Sequence, residues 1–577
     1  MKTNKIWFAA LAALSLSACS DKMDYKEYNI YDKDYIAQDF GSVGGFMTDI
    51  YGAVDLDFGN YSGGAMLASA SDESMYSKMG NAIEDFYDGA WSPTNAKGST
   101  WNNMYAAIAT CNHVIAKFQG LEFSDLKLNS DYQAQMHRYK NYKYECEFMR
   151  AYFYFNLAKQ YGGVPLVKQE MSPEEINVMP RSSADDVFQY IIDQCDLIKD
   201  SIVADYSNLG QYALGSEETG RADRLAVLAL KARAALYWAS PLFNPTNDKE
   251  RYHKAALYTK ELLDACNARN KGLTAKYESL WDTKSYTDPN IMKEIIFGRR
   301  YYSTAGGDHL VESYNYPVGI EGGTGGNCPT QNLVDAYDMK NGKSISEAGS
   351  GYDETNPYKD RDPRLAATVA VNGDVWPTAE GKALQIYEGG ANAEPLTGAT
   401  PTGYYLKKLC NGAIGLGSKA RVKDAFHTWV VFRMGEFYLN YAEAVFRYLG
   451  SADATSAEFP MSAREAASKT RERAGMPALP MGLNNETFWA KYKNERMVEL
   501  AFEGHRFWDV RRWKEADKYF KNIVEMKLTR SDDGSIKYTR QTVQRQWDDK
   551  MYLFPIPQTE LMKNVNLEQN PGWETGK

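Results

Sequence analysis

The chain has 577 residues, a formal net charge of −9 and a pI near 5.5. An acidic surface excludes binding driven by nucleic-acid phosphates or by anionic lipid headgroups. A chain of this length can bury a large core, and its 41 Tyr and 12 Trp supply flat faces for that core, for interfaces and for stacking on sugar rings.

Lys2 and Lys5 form a short basic region ahead of an apolar run from Ile6 to Leu16, and the small residues Ser17 and Ala18 lead into Cys19. Leu16-Ser17-Ala18-Cys19 is the pattern that a bacterial lipoprotein signal peptidase cleaves before an acylated cysteine. The apolar run, about eleven residues, is too short to cross a bilayer, where roughly twenty are needed. The expectation is a signal peptide over 1–18, a mature chain starting at lipidated Cys19, and a polar, tyrosine-rich spacer over 19–36.

From about residue 37 helical periodicity dominates. Leu225, Leu228, Ala229, Ala232, Ala235, Leu236 and Ala239 recur at three- and four-residue steps, which puts one apolar stripe on a helix that Pro241 ends. A second helix, Tyr252 to Cys266, follows an Asn-Pro turn, so the two read as an antiparallel pair. Tyr144 to Tyr161 stops at Gly162-Gly163-Val164-Pro165, Phe432 to Tyr448 ends near Gly450, and Glu486 to Trp513 is one long amphipathic stretch broken at Gly504. Such pairs predict a tetratricopeptide-like stack.

Between about 299 and 425 the texture changes to Gly, Asn, Thr, Pro and Tyr, with Gly306-Gly307, Gly322-Gly323 and Gly325-Gly326. Long loops on a rigid scaffold are where binding residues are placed, so the ligand face is expected there. The fold class is mostly α: residues 37–577 form one domain, a helical-repeat part to about 298 and a loop-rich and helical part from 299.

The chain offers little sign of catalysis. Its histidines (113, 137, 253, 309, 427 and 505) show no HExxH spacing, and there is no G-x-S-x-G elbow or P-loop. A two-carboxylate glycosidase leaves no sequence spacing of its own, because its pair is set in space. Once Cys19 is acylated, the remaining cysteines (111, 146, 195, 266, 328 and 410) read as buried free thiols rather than a disulfide framework. No cofactor is predicted. Asp57, Asp72, Asp85 and Asp88 leave structural calcium open, but none follows an EF-hand pattern.

A set of segments carries a family resemblance. They are Glu147 to Phe155 (EFMRAYFYF) leading to Tyr161-Gly162-Gly163-Val164-Pro165, Lys231 to Tyr237 (KARAALY), and Asp360-Arg361-Asp362-Pro363-Arg364-Leu365. Later come Tyr441-Ala442-Glu443-Ala444, Arg471 to Pro477 (RERAGMP), Glu499 to Trp513 (ELAFEGHRFWDVRRW), Leu553 to Pro557 (LFPIP) and Gln569-Asn570-Pro571-Gly572. In this order, behind a lipobox, they resemble the SusD/RagB family of outer-membrane nutrient-binding lipoproteins.

The resemblance implies a SusD-like single globule in which tetratricopeptide-like helix pairs support a loop-rich ligand face. It implies a non-enzymatic glycan-binding lipoprotein facing the cell exterior, with a SusC-like TonB-dependent outer-membrane transporter as partner and no nucleic acid. A peptide ligand of the RagB type and a surface glycoside hydrolase are the competing readings. Glu499, Glu503, Arg506, Asp509 and Arg511 read as a buried ion-pair network on an interior helix, not as an active site.

By position, the family's aromatic platform falls on 71–101 and 300–321. The candidates are Trp91, Tyr301, Tyr302, Tyr314 and Tyr316 as stacking faces, with Asp72, Glu73 and Arg300 as hydrogen-bonding partners of sugar hydroxyls. Trp101 and Tyr105 are expected to pack their helix.

Overall fold

The computed structural model of the chain describes residues 33–214, 220–281, 283, 287–303, 310–416 and 425–574. The expected signal peptide, Cys19 and the spacer as far as residue 32 lie outside the described residues.

Helix α1 (Phe40–Gly52) buries Val43, Met47 and Ile50, the four- and three-residue steps of one helical face. An irregular segment follows, holding the short strand β1 (Ser74–Tyr76). Helices α2 (Trp101–Lys117), α3 (Tyr132–Tyr161), α4 (Ala184–Ile198), α5 (Arg224–Ala239) and α6 (Lys249–Ala268) then pack each against the next. Their starts are set by capping side chains: Ser183 closes a capping box with Asp186, Asp223 accepts from the Leu225 and Ala226 amides, and Asp248 from Glu250.

The array continues in space past an interruption in sequence. After α6 the chain leaves for a loop-rich segment and returns as α7 (Met434–Leu449), which packs on α6, then α8 (Ala463–Arg473), which packs on α7. The tetratricopeptide-like stack is therefore one continuous layer, and the segment between α6 and α7 is mounted on it.

That segment supplies strand β2 (Ile295–Ser303), strand β3 (Asn327–Pro329), which pairs antiparallel with β1, and strand β4 (Ala425–Arg433), which pairs antiparallel with β2. Helices α9 (Asn485–Glu499) and α10 (Arg506–Arg512) follow, then a hairpin of β5 (Asn522–Arg530) and β6 (Ile536–Gln544).

Several sequence expectations are corrected by packing. Helix α5 carries no single apolar stripe: it is buried almost all round, because α4 and α6 cover it from two sides. The expected break at Gly504 is present: the stretch from Glu486 to Trp513 is two helices, with Phe502 and Gly504 at positive φ (60° and 77°) turning the chain between α9 and α10. Phe432 and Arg433 end strand β4 rather than begin a helix. As expected, Cys111, Cys146, Cys195, Cys266, Cys328 and Cys410 are buried free thiols.

The predicted ion-pair network exists but is assembled from many elements. Glu499 meets Arg364, Arg433 and Arg473; Glu503 meets Arg433 and Lys408; Asp509 meets Arg496 and Arg512. Arg511 is not part of it. Its guanidinium carbon lies 3.4 Å from the Phe507 ring centroid, with Trp547 and Phe520 farther out, and burial pushes its pKa well below the usual value.

Candidate functional site

A cavity of about 710 Å³, within the size range of small-ligand sites, opens where the loop after α1 meets α3, the β2–β4 ribbon and the turn before α10. The loop after α1 contributes Asp55, Asp57 and Tyr61, helix α3 Tyr152 and Lys159, and the ribbon Arg299 and Trp429. Thr100, immediately before α2, and His505, immediately before α10, complete the walls.

Ladder geometry explains how Arg299 arrives there. It lies opposite Trp429 in the ribbon, and both line the cavity. Its Nη1 donates to the Val54 carbonyl at 2.6 Å, and no carboxylate among the described residues lies within ion-pair distance. Burial lowers its pKa. Across from it, Asp55 Oδ2 accepts from the Tyr152 hydroxyl at 3.2 Å and faces Lys159 Nζ at 3.6 Å. Lys159 also sits over the Trp508 ring, 5.0 Å from its centroid.

Asp57 accepts the Leu67 amide on Oδ2 at 2.8 Å, while Oδ1 is buried without a partner. Burial pushes its carboxyl up to about 7, against the pull of backbone amides. The Tyr61 hydroxyl and Thr100 Oγ1 are likewise buried without partners. Buried polar atoms in folded proteins nearly always have a partner, and these three residues, without one among the described residues, all line the cavity. His505 is kept neutral by burial and by the surrounding Arg233, Arg496, Arg433 and Lys159.

Most of the residues singled out in the sequence lie elsewhere. Asp72 is 2% exposed and engaged by Arg506 at 2.7 and 2.9 Å, so it offers nothing to a sugar. Glu73 is 1% exposed, and burial followed by the neighbouring Asp72 charge raises it to about 8. Trp91 packs edge-on against Phe86, Phe554 and Trp573 at centroid distances of 4.7, 4.8 and 5.3 Å. Tyr316 is fully buried, its hydroxyl donating to the Asn411 and Ile414 carbonyls. These four are core residues because their loops fold inward onto the C-terminal elements.

Tyr314 is half-buried, its ring docked where a Cβ on Gly59 would lie 2.7 Å away. Arg300 is exposed on β2, one residue from Arg299. Tyr301 and Tyr302 pair with His427 and Phe426 along the same ribbon, and their side chains lie outside what is described. Trp101 and Tyr105 pack as expected: Trp101 meets Tyr161 edge-on, and the Tyr105 hydroxyl donates to the Pro165 carbonyl at 2.8 Å. Among the described residues no group of three or more His, Cys, Asp or Glu is gathered as metal ligands, and Asp57, Asp72, Asp85 and Asp88 do not converge.

Of these cavity residues, the sequence reading did not single out Asp55, Tyr61, Lys159 or Arg299, and it raised Asp57 only as a possible calcium ligand. The readable signal was the pair Asp55-Leu56-Asp57 in the loop just beyond the α1 terminus.

The molecule is a helical-repeat scaffold with a cavity built between its loops, the β2–β4 ribbon and α3. Profiles of two families match the sequence, one described as the SusD family over residues 293–573 and one as starch-binding associating with outer membrane over 51–235. A protein named SusD-like protein P2 from Formosa agariphila is 23% identical over 495 residues, covering 82% of this chain and 80% of its own. A crystal structure of a SusD-like protein from Bacteroides fragilis superposes with a TM-score of 0.74 at 26% identity, covering 93% of this chain and 98% of that one. A SusD-like carbohydrate binding protein from the same species superposes with a TM-score of 0.72 at 21% identity, covering 92% and 100%. The chain belongs to the SusD/RagB family.

Proposed function

We propose that the chain is a non-enzymatic cell-surface lipoprotein that captures oligo- or polysaccharide in this cavity and delivers it to a TonB-dependent outer-membrane transporter. The observation that carries the reading is one cavity lined by Asp57, Tyr61 and Thr100, each with a buried polar atom that has no partner among the described residues, beside the cation Arg299. A sugar presents hydroxyls that both donate and accept, which suits a carboxyl oxygen, a phenol and an alcohol in one wall. Arg299 adds donors whose charge strengthens such bonds.

The relatives support the class. A carbohydrate-binding member shares the fold, and the starch-binding profile covers the stretch from which Asp55 to Lys159 line the cavity. Association with the outer membrane accords with that profile's description and with the lipobox ending at Cys19. Transfer to a transporter rests on the family resemblance.

A second reading rests on one observation: Asp57 and Asp55 are two cavity carboxyls in unlike surroundings, one held up to about 7 by burial and the other paired with Lys159. Unequal carboxyl pairs also serve glycoside hydrolases. Affinity electrophoresis of the full chain against plant, host and microbial polysaccharides, with product analysis of each mixture, separates the two. Retardation without shortening is expected; shortened products establish a hydrolase, and binding of peptide pools alone replaces the glycan.

A further inference from the structure

Resting on the glycan-capture reading, we infer that the cavity selects an uncharged stretch of glycan and discriminates against uronate-bearing, sulfated and free-amino sugars. The argument starts from pairing. Lys159 faces Asp55 at 3.6 Å, Arg233 is held by Glu436 with Nε at 2.7 Å, and Glu503 is held by Arg433 at 2.7 Å and by Lys408 at 2.8 Å. Each of these wall charges already has its counter-charge in the protein.

One wall cation and two wall carboxyls remain without an ion pair among the described residues: Arg299, half-buried, Asp49, exposed, and Asp57, whose carboxyl burial pushes up to about 7. Arg299 and Asp49 are of opposite sign, and Asp55 also faces Arg299 electrostatically. The cavity therefore presents no cluster of unpaired charge of one sign.

The wall's own titratable groups respond to the same surroundings. Burial pushes the carboxyl of Asp57 up to about 7, which is the response of a site that resists a further negative charge. Burial pushes Lys159 and His505 down, the response of a site that resists a further positive one. A ligand bearing either sign has to lose its hydration shell here without a free counter-charge to replace it. A neutral sugar loses only hydroxyl hydration and recovers hydrogen bonds from Asp57, Tyr61 and Thr100.

The test is calorimetry of the full chain against soluble mannan, galactan and mixed-linkage β-glucan, each beside its C6-oxidised uronate form and its sulfated form, with chitosan as the cationic polymer. The expected result is that at least one neutral polymer binds and that its oxidised and sulfated forms bind at least about tenfold more weakly. Asp55→Asn, which leaves Lys159 and Arg299 unbalanced, is expected to narrow that gap. Equal or tighter binding of a charged polymer overturns the inference while leaving glycan capture standing. Binding of none of these polymers, with peptide pools bound instead, overturns capture and this inference together.

Discussion

Arg506 grips Asp72 at two points, Nε to Oδ1 at 2.9 Å and Nη2 to Oδ2 at 2.7 Å, across 434 residues of sequence. Both side chains are buried, and the pair ties the irregular segment after α1 to the start of α10. Breaking a buried pair from one side strands the other charge, which costs about 3–5 kcal/mol. Asp72→Ala should therefore lower unfolding free energy by that amount in denaturant titration, while the folded fraction keeps its glycan affinity.

Glu73 responds to pH in a way that is measurable. Its carboxyl is raised by burial and by Asp72 from 4.5 to about 8, so the folded state holds the proton more tightly than the unfolded one. Stability from this group is fully present below about pH 4.5 and is lost as pH rises towards about 8. Glu73→Gln should gain stability relative to the parent across that window, with the difference flat above it; a constant difference from pH 4 to 9 would contradict the assignment.

Glu443 has the opposite sign. Burial alone would raise its carboxyl, but the charge and hydrogen bonds of Arg512 outweigh burial and hold it at about 2. Its contribution is present above about pH 4.5 and disappears as pH falls from there towards about 2. Glu443→Gln should be destabilised at neutral pH and should show a shallower loss of melting temperature on acidification than the parent.

Trp91 and Arg299 should separate packing from binding. Removing the Trp91 ring from its contacts with Phe86, Phe554 and Trp573 leaves a cavity, with a cost of about 3–5 kcal/mol in stability. Arg299→Ala removes a half-buried cation whose hydrogen bond among the described residues goes to a backbone carbonyl, so melting temperature should stay within a degree or two. A ligand hydrogen bond to a charged group contributes about 1.5–3 kcal/mol, so the same variant should lose about tenfold or more in glycan affinity by calorimetry.

The scaffold was legible in the sequence because helix pairs write their packing into three- and four-residue steps, as in α6, which buries Tyr252, Ala255, Thr259, Leu262 and Cys266, whereas α5, buried almost all round, keeps no such stripe. Family motifs located the charged core but not its wiring: Arg511 stacks on Phe507, while Arg512 pairs with Glu443 and Asp509. The site was less legible. Trp91, Asp72 and Glu73 have the chemistry of ligand contacts, and only the inward fold of their segment shows that they pack. Arg300 and Arg299 are adjacent on β2, and strand alternation sends neighbouring side chains to opposite faces. Which of the two enters the cavity depends on pairing with β4, a contact more than a hundred residues away in sequence.

The most direct test of the account is a crystal structure of the full chain with an oligosaccharide that it retains. The account predicts a sugar in the cavity, with hydroxyls within hydrogen-bonding distance of Asp57 Oδ1, the Tyr61 hydroxyl, Thr100 Oγ1 and Arg299. A sugar seated instead at the Arg300 to Tyr302 end of the ribbon, with the cavity free of it, would contradict the account.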